Sequence, residues 1–214
     1  MFVLIETNGN RLSVHPEVVQ KLREEHDTVF IKGIDATYQM LRDDPYKLSQ
    51  LEYTTNVVKE VLRLYPIGNT ARGGHPTERF VAYEGQHYST AGKMVCPVQL
   101  VMHMDPEIFP NPTKFDPDRY TREDFPRHAW RPFERGPRGC LGQPLAMDEV
   151  KLALLLTIRD FDFTCADLKP NKMPRVEWTD WDLTFGDRAF QQFVFEARPR
   201  DGMPMFVKKS NWAS

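Results

Sequence analysis

The chain has 214 residues, 28 of them basic and 30 acidic, for a formal net charge of −2. That is length enough for one sizeable core, and the balance of charge gives no global reason to expect a nucleic-acid partner. Three cysteines, Cys96, Cys140 and Cys165, cannot all pair within the chain. Their wide spacing matches neither a disulfide framework nor a zinc site, which points to a reducing or cytosol-facing setting.

The opening MFVLIETNGN places only four apolar residues between Met1 and Glu6, too few for a signal h-region or a membrane span. No later stretch reaches spanning length, so no transmembrane helix is expected. From Pro16, the residues Val18, Val19, Leu22, Val29 and Phe30 recur at helical spacing among charges and predict an amphipathic helix. A shorter helix is expected over Ala36 to Arg42, broken before Pro45. Ser49 followed by Glu52 has the form of a capping box. It would open a helix with Leu51, Thr55, Val58, Leu62 and Tyr65 on one stripe, ended by Pro66.

Residues 67 to 101 change period. Their β-branched and aromatic residues, with Gly85 and Gly92 at turns, predict two or three short strands. Nine of the 17 prolines lie between Pro97 and Pro144, which excludes regular helix or central strand through most of that span. Interleaved Phe109, Phe115, Tyr120, Phe125, Trp130 and Phe133 favour an ordered meander over a disordered linker. A helix resumes near Pro144, and its LALLLTI run is apolar nearly all round, predicting a place at the centre of the core. RAFQQFVFEARP in the tail suggests a hairpin or strands. With no boundary between self-sufficient halves, residues 1–214 are expected to form a single unit.

Chemistry concentrates in FERGPRGCLG, residues 133–142. A cysteine becomes a ligand or nucleophile as thiolate, and three features favour a negative sulfur at Cys140. Arg138 lies two residues before it, a glycine-rich turn supplies backbone N–H groups, and a helix begins just beyond. Gly136, Gly139 and Gly142 would let a bulky, flat group approach the loop closely. Two other readings stand beside cofactor ligation. One is a buried, inert cysteine. The other is a nucleophilic thiol, disfavoured because LGQPLAM after the cysteine holds no arginine to cradle a phosphate and no histidine is positioned by pattern.

Phe133, Gly136, Arg138, Cys140 and Gly142 fit F-x-x-G-x-R-x-C-x-G, which resembles the heme-binding signature of the cytochrome P-450 superfamily. Glu60 and Arg63 in KEVLR match its E-x-x-R element, and Arg119 in FDPDRY matches the arginine of the following meander. The resemblance runs from about Leu12 to about Val207 and is strongest to filamentous-fungal members. It implies a mainly α fold with small β-sheets. It also implies a heme-thiolate monooxygenase that inserts one oxygen atom of O₂ into an organic substrate, in fungal secondary metabolism, with NADPH-dependent reductase as electron donor. By resemblance Cys140 is the axial ligand of heme b, Arg138 pairs a propionate, Phe133 packs by the sulfur, and Gly136 and Gly142 shape the loop. Arg72 in NTARGG is a further propionate partner by resemblance, with an ordinary loop arginine as the alternative.

Glu60 and Arg63, three apart on a helix, can pair on one face, and Arg119 can complete a charge-assisted triad. By resemblance this is the buried clamp that holds the heme-proximal loop, a structural role. Between Arg119 and Arg138 there are six arginines against Glu123, Asp124 and Glu134, a local surplus of three positive charges. Arg127, Arg131 and Arg135 are therefore candidates for docking an acidic reductase; the alternative is that several of these arginines are used internally. Members of the family are about twice as long. The expectation is therefore a single incomplete unit lacking the front half, with no A/G-G-x-D/E-T-T helix ahead of RLSVHPEVV. Endoplasmic reticulum association is implied only for the full-length relatives. A catalytically inactive heme-binding remnant or interaction module stands as the alternative function.

Overall fold

In a computed structural model, residues 12, 14–68, 70–74, 80–126, 128–166, 191–193, 197–199 and 204–212 are described. Three helices make the core. α1 (Pro16–Val29) buries Val18 and Leu22, while α3 (Glu52–Leu64) buries Val57, Val58, Val61 and Leu62. α6 (Gln143–Thr157) adds Val150 and Leu154, with Ile158 just past its end. Those positions recur every three or four residues, so each helix offers one apolar stripe to a shared centre. α2 (Ile34–Asp43) follows α1, and Phe30, Leu51 and Leu155 form a second, smaller cluster near the turn between them and α3.

The start of α3 differs from the expected capping box. Ser49 belongs to a 3₁₀ turn (Pro45–Gln50) and its hydroxyl donates to the Tyr46 carbonyl. The free N–H groups of Tyr53 and Thr54 instead donate to the carboxylate of Glu25 on α1, as does the Thr54 hydroxyl. A carboxylate from 28 residues away does there what a local serine would have done, and it ties two core helices together.

After α3 the chain forms β1 (Arg72–Gly73) and β2 (Phe80–Tyr83), then β3 (Gln86–Ser89) and β4 (Met94–Val95). β2 and β3 are an antiparallel hairpin in which Tyr83 faces Gln86. Its two-residue turn puts Glu84 at φ 47° and Gly85 at φ 75°, the left-handed pair that a tight hairpin requires. β1 pairs antiparallel with β4, Arg72 opposite Val95.

The meander holds a helix that the prolines concealed, α4 (Gln99–His103), and a single turn, α5 (Arg119–Arg122). Beyond α6, β5 (Phe161–Cys165) pairs with β8 (Met205–Lys209), and β6 (Gln191–Phe193) pairs with β7 (Ala197–Pro199). The latter is the hairpin anticipated in the tail. The fold is mainly helical with small two-stranded antiparallel sheets.

α6 is less central than its composition suggested. Leu154 and Leu155 are buried, whereas Leu152, Ala153 and Leu156 are half-buried, and Leu145 at the other end is 64% exposed. No helix among the described residues is long and apolar enough to cross a membrane.

Candidate functional site

Cys140 lies in the turn between the meander and α6, and its side chain is exposed. The loop is held by its own backbone. The Cys140 N–H donates to the Phe133 carbonyl at 2.9 Å, and Gly139 N–H to the Gly136 carbonyl at 2.9 Å. Gly136, at φ 75°, opens the 3₁₀ turn Gly136–Arg138 that makes this closure possible. Gly142 precedes α6, and a Cβ built there would lie 3.7 Å from the Cys140 sulfur. A side chain begun there would sit in ordinary contact with the thiol.

The sulfur borders an open cleft of about 360 Å³. Leu62, Ile67, Phe133 and Ala146 give it apolar walls, and Arg138 stands at its edge. Arg138 forms no hydrogen bond or ion pair with the described residues, so a cation is left to meet an anionic group. Phe133 also packs against the core, its ring 6.2 Å from that of Trp130, whose indole N–H donates to the Lys59 carbonyl. Arg72 is not part of the cleft wall; it lies on β1 and turns back to the Ala71 carbonyl.

Glu60 and Arg63 on α3 and Arg119 on α5 meet as a buried triad, with side-chain exposures of 0, 0 and 1%. Arg63 grips Glu60 with two parallel bonds of 2.9 and 2.8 Å, and Arg119 Nε reaches Glu60 Oε1 at 3.0 Å. The remaining donors gather meander carbonyls. Arg63 takes His103, Pro112 and Lys114; Arg119 takes Pro110, Asn111 and Lys114, with Glu123 beside it. Each guanidinium thus uses its full set of donors, the condition under which buried charges are tolerated. The triad shapes residues 110–116 without contacting the cleft.

Two residues that sequence reasoning passed over join the clamp to the cysteine loop. His103 Nδ1 donates to the Arg63 carbonyl at 3.0 Å, while Nε2 accepts the Arg131 N–H at 3.1 Å. That pattern requires the neutral ring. Burial, with the Arg63 charge nearby, lowers its pKa to about 4, even though the bond to the Arg63 carbonyl pulls the other way.

Glu134, only 5% exposed, accepts from Thr70, Gln99 and Arg131 and also lines the cleft. Burial pushes this carboxyl up, but the bonds from Arg131 and Thr70 and the Arg131 charge outweigh it and hold it below its ordinary range. A signal existed in hindsight. A glutamate placed between Phe133 and the first loop glycine is an ionisable group where the backbone must turn sharply.

The expected basic docking surface is smaller than its count of arginines. Arg119 belongs to the buried triad, Arg122 pairs with Asp116 and Glu123, and Arg131 pairs with Glu134 at 2.6 Å. Arg135 remains exposed, and among the described residues its guanidinium reaches only the Trp130 carbonyl; Arg127 lies outside the described residues.

Comparison with known proteins matches residues 11–184 to the cytochrome P450 family model. The cytochrome P450 monooxygenase acrF of Aspergillus aculeatus is 35% identical across 92% of this chain and 44% of its own length. For polC of Polytolypa hystricis the figures are 40%, 92% and 36%. PC-23 of Penicillium crustosum, also a cytochrome P450 monooxygenase, is 38% identical over 71% of this chain and 76% of its own. The chain thus spans less than half the length of the first two of these relatives. Because the match runs from α1 through the clamp, the meander and α6, and is not confined to the cysteine loop, the chain belongs to the cytochrome P450 family.

Proposed function

We propose that this chain is the heme-thiolate part of a monooxygenase that inserts one atom of O₂ into a small organic substrate. The observation that carries the reading is the meeting of an exposed thiol, apolar walls and an arginine unpaired among the described residues on one cleft. Those residues fit heme b. Its flat macrocycle is apolar, its propionates are anionic, and its iron takes one protein ligand. Among the described residues no group of three or more His, Cys, Asp or Glu could hold a bare metal ion.

In this reading Cys140 would supply the thiolate ligand, with Gly142 beside it at the start of α6. Arg138 would pair a propionate, and Arg72 could do so only after a change of rotamer, since its guanidinium now bonds the Ala71 carbonyl. Leu62, Ile67, Phe133 and Ala146 would pack against the macrocycle and keep water from it. Glu60, Arg63 and Arg119 hold the meander on which the loop rests. When bound, the heme supplies oxygen activation, favoured by electron density from the thiolate.

Electrons would come from an NADPH-dependent reductase on a cytosolic face, with the exposed Arg135, a few residues before Cys140, as one docking cation. The monooxygenase names of the fungal relatives support the reaction class, and fungal secondary metabolism is the setting we infer.

The test is to express the chain with heme supply, reduce it and add carbon monoxide. A red-shifted thiolate–heme band that Cys140→Ala abolishes supports ligation. A soluble, folded chain without that band refutes it. Substrate oxidation with added reductase then separates a turning-over enzyme from a heme-binding module.

A further inference from the structure

Glu134 is held in a way that a loop residue does not need. Its backbone is left-handed, at φ 61°, a region disfavoured for any residue with a Cβ and open to glycine. The residue is nevertheless buried, only 5% exposed. Its carboxylate accepts from three separate segments. Thr70 Oγ1 donates at 2.9 Å from the stretch between α3 and β1, Gln99 Nε2 at 3.0 Å from the start of α4, and Arg131 Nη2 at 2.6 Å from the meander.

The Gln99 amide is informative. A carboxylate only accepts, so the amide must present its nitrogen, and its oxygen is left buried without a partner among the described residues. That cost is borne to keep the Glu134 bond.

The position of Glu134 in the loop gives the anchor its meaning. The peptide carbonyl just before it, that of Phe133, receives the N–H of Cys140. Turning Glu134 therefore turns the group to which the cysteine is tied. α4 extends the connection, since Gln99 and His103 lie four apart on one helical face. Gln99 meets Glu134, and His103 meets both the Arg131 N–H and the Arg63 carbonyl.

We propose that Glu134 is a positioning residue for Cys140: its buried carboxylate fixes the peptide that receives the cysteine N–H and so sets where the sulfur stands in the cleft. The spectroscopic consequence rests on the heme-thiolate reading; the mechanical one does not.

The experiment compares the wild-type chain with Glu134→Gly and Glu134→Gln, by residue-resolved hydrogen–deuterium exchange and by the reduced carbon monoxide spectrum. Glycine suits the left-handed backbone and removes the side chain with its carboxylate. The expected result is Cys140 amide exchange at least about tenfold faster in Glu134→Gly, because charge-assisted bonds are lost, with the α1 and α3 amides unchanged. The thiolate–heme band should fall by more than about half relative to wild type, since the sulfur is no longer held. Glu134→Gln should be intermediate, because it keeps an acceptor for Thr70 but turns an N–H₂ toward a donor.

Wild-type exchange and spectrum in Glu134→Gly would overturn the proposal, and so would acceleration spread evenly over all helices. A wild-type chain without the thiolate–heme band, in which Glu134→Gly still frees the Cys140 amide selectively, removes the heme reading and leaves the anchor standing. If Glu134→Gly does not fold, Thr70→Val removes one donor and leaves the backbone as it is. It should give about threefold selective exchange, and no selective change there overturns the proposal.

Discussion

The ring of His103 donates to the carbonyl of Arg63 across 3.0 Å, tying the end of α4 to the last turn of α3. With its other nitrogen accepting from Arg131, the ring has no room for a second proton. The folded pKa is about 4, against an ordinary 6.5. Between those values the unfolded chain binds a proton that the folded chain refuses. His103 therefore contributes stability that is complete above pH 6.5 and is lost as pH falls through about 4, on the order of 3 kcal/mol in all. His26, buried against Thr54 and lowered by burial to about 3, adds a loss of the same sign over pH 6.5 to 3. Urea unfolding at a series of pH values should show this slope, and His103→Gln should remove its share. An unchanged slope in the variant would refute the assignment.

Removing Glu60 leaves two guanidinium groups charged and buried without their carboxylate. Glu60→Ala should cost about 3–5 kcal/mol, enough to leave little folded protein. Arg119→Lys should also fail, because one ammonium cannot serve Glu60 together with the carbonyls of Pro110, Asn111 and Lys114. Denaturant midpoints check both; a lysine variant within about 0.5 kcal/mol of wild type would contradict the geometry.

At the start of α3, Glu25→Ala and Ser49→Ala should behave oppositely to what the local sequence suggests. Loss of Glu25 strips the cap from Tyr53 and Thr54 and should cost about 1–2 kcal/mol. Loss of the exposed Ser49 hydroxyl should cost under about 0.5 kcal/mol. Thermal unfolding of the two variants decides it, and equal costs would count against Glu25 as the cap.

Gly73 and Gly74 are neighbours with different obligations. A Cβ on Gly74 would lie 1.7 Å from the Thr90 carbonyl oxygen, whereas on Gly73 it would meet nothing within 4 Å. Gly74→Ala should therefore displace the Gly74–Lys93 backbone bond and cost about 3 kcal/mol. Gly73→Ala should be neutral or slightly stabilising. Exchange of the β1 and β4 amides reports the difference, and a tolerated Gly74→Ala would mean that the strands approach less closely.

What the amino-acid order determined alone is whatever depends on near neighbours. Prolines 45 and 66 bound helices because a ring closes off the helical backbone. Glu84 and Gly85 turn a hairpin because two left-handed residues fit its twist. Glu60 and Arg63 face each other because three residues are nearly one helical turn. Gly136 and Gly142 frame Cys140 for equally local reasons.

Only the tertiary structure decided the rest, because it depends on which distant groups compete for one donor or acceptor. The cap of α3 came from Glu25 once α1 lay alongside, leaving Ser49 to a turn. α4 formed among prolines because its ends found Glu134 and Arg63. The basic surplus shrank because Arg119, Arg122 and Arg131 had buried or half-buried carboxylates within reach. α6 stayed half-covered along one side because the described residues supply apolar partners for the other.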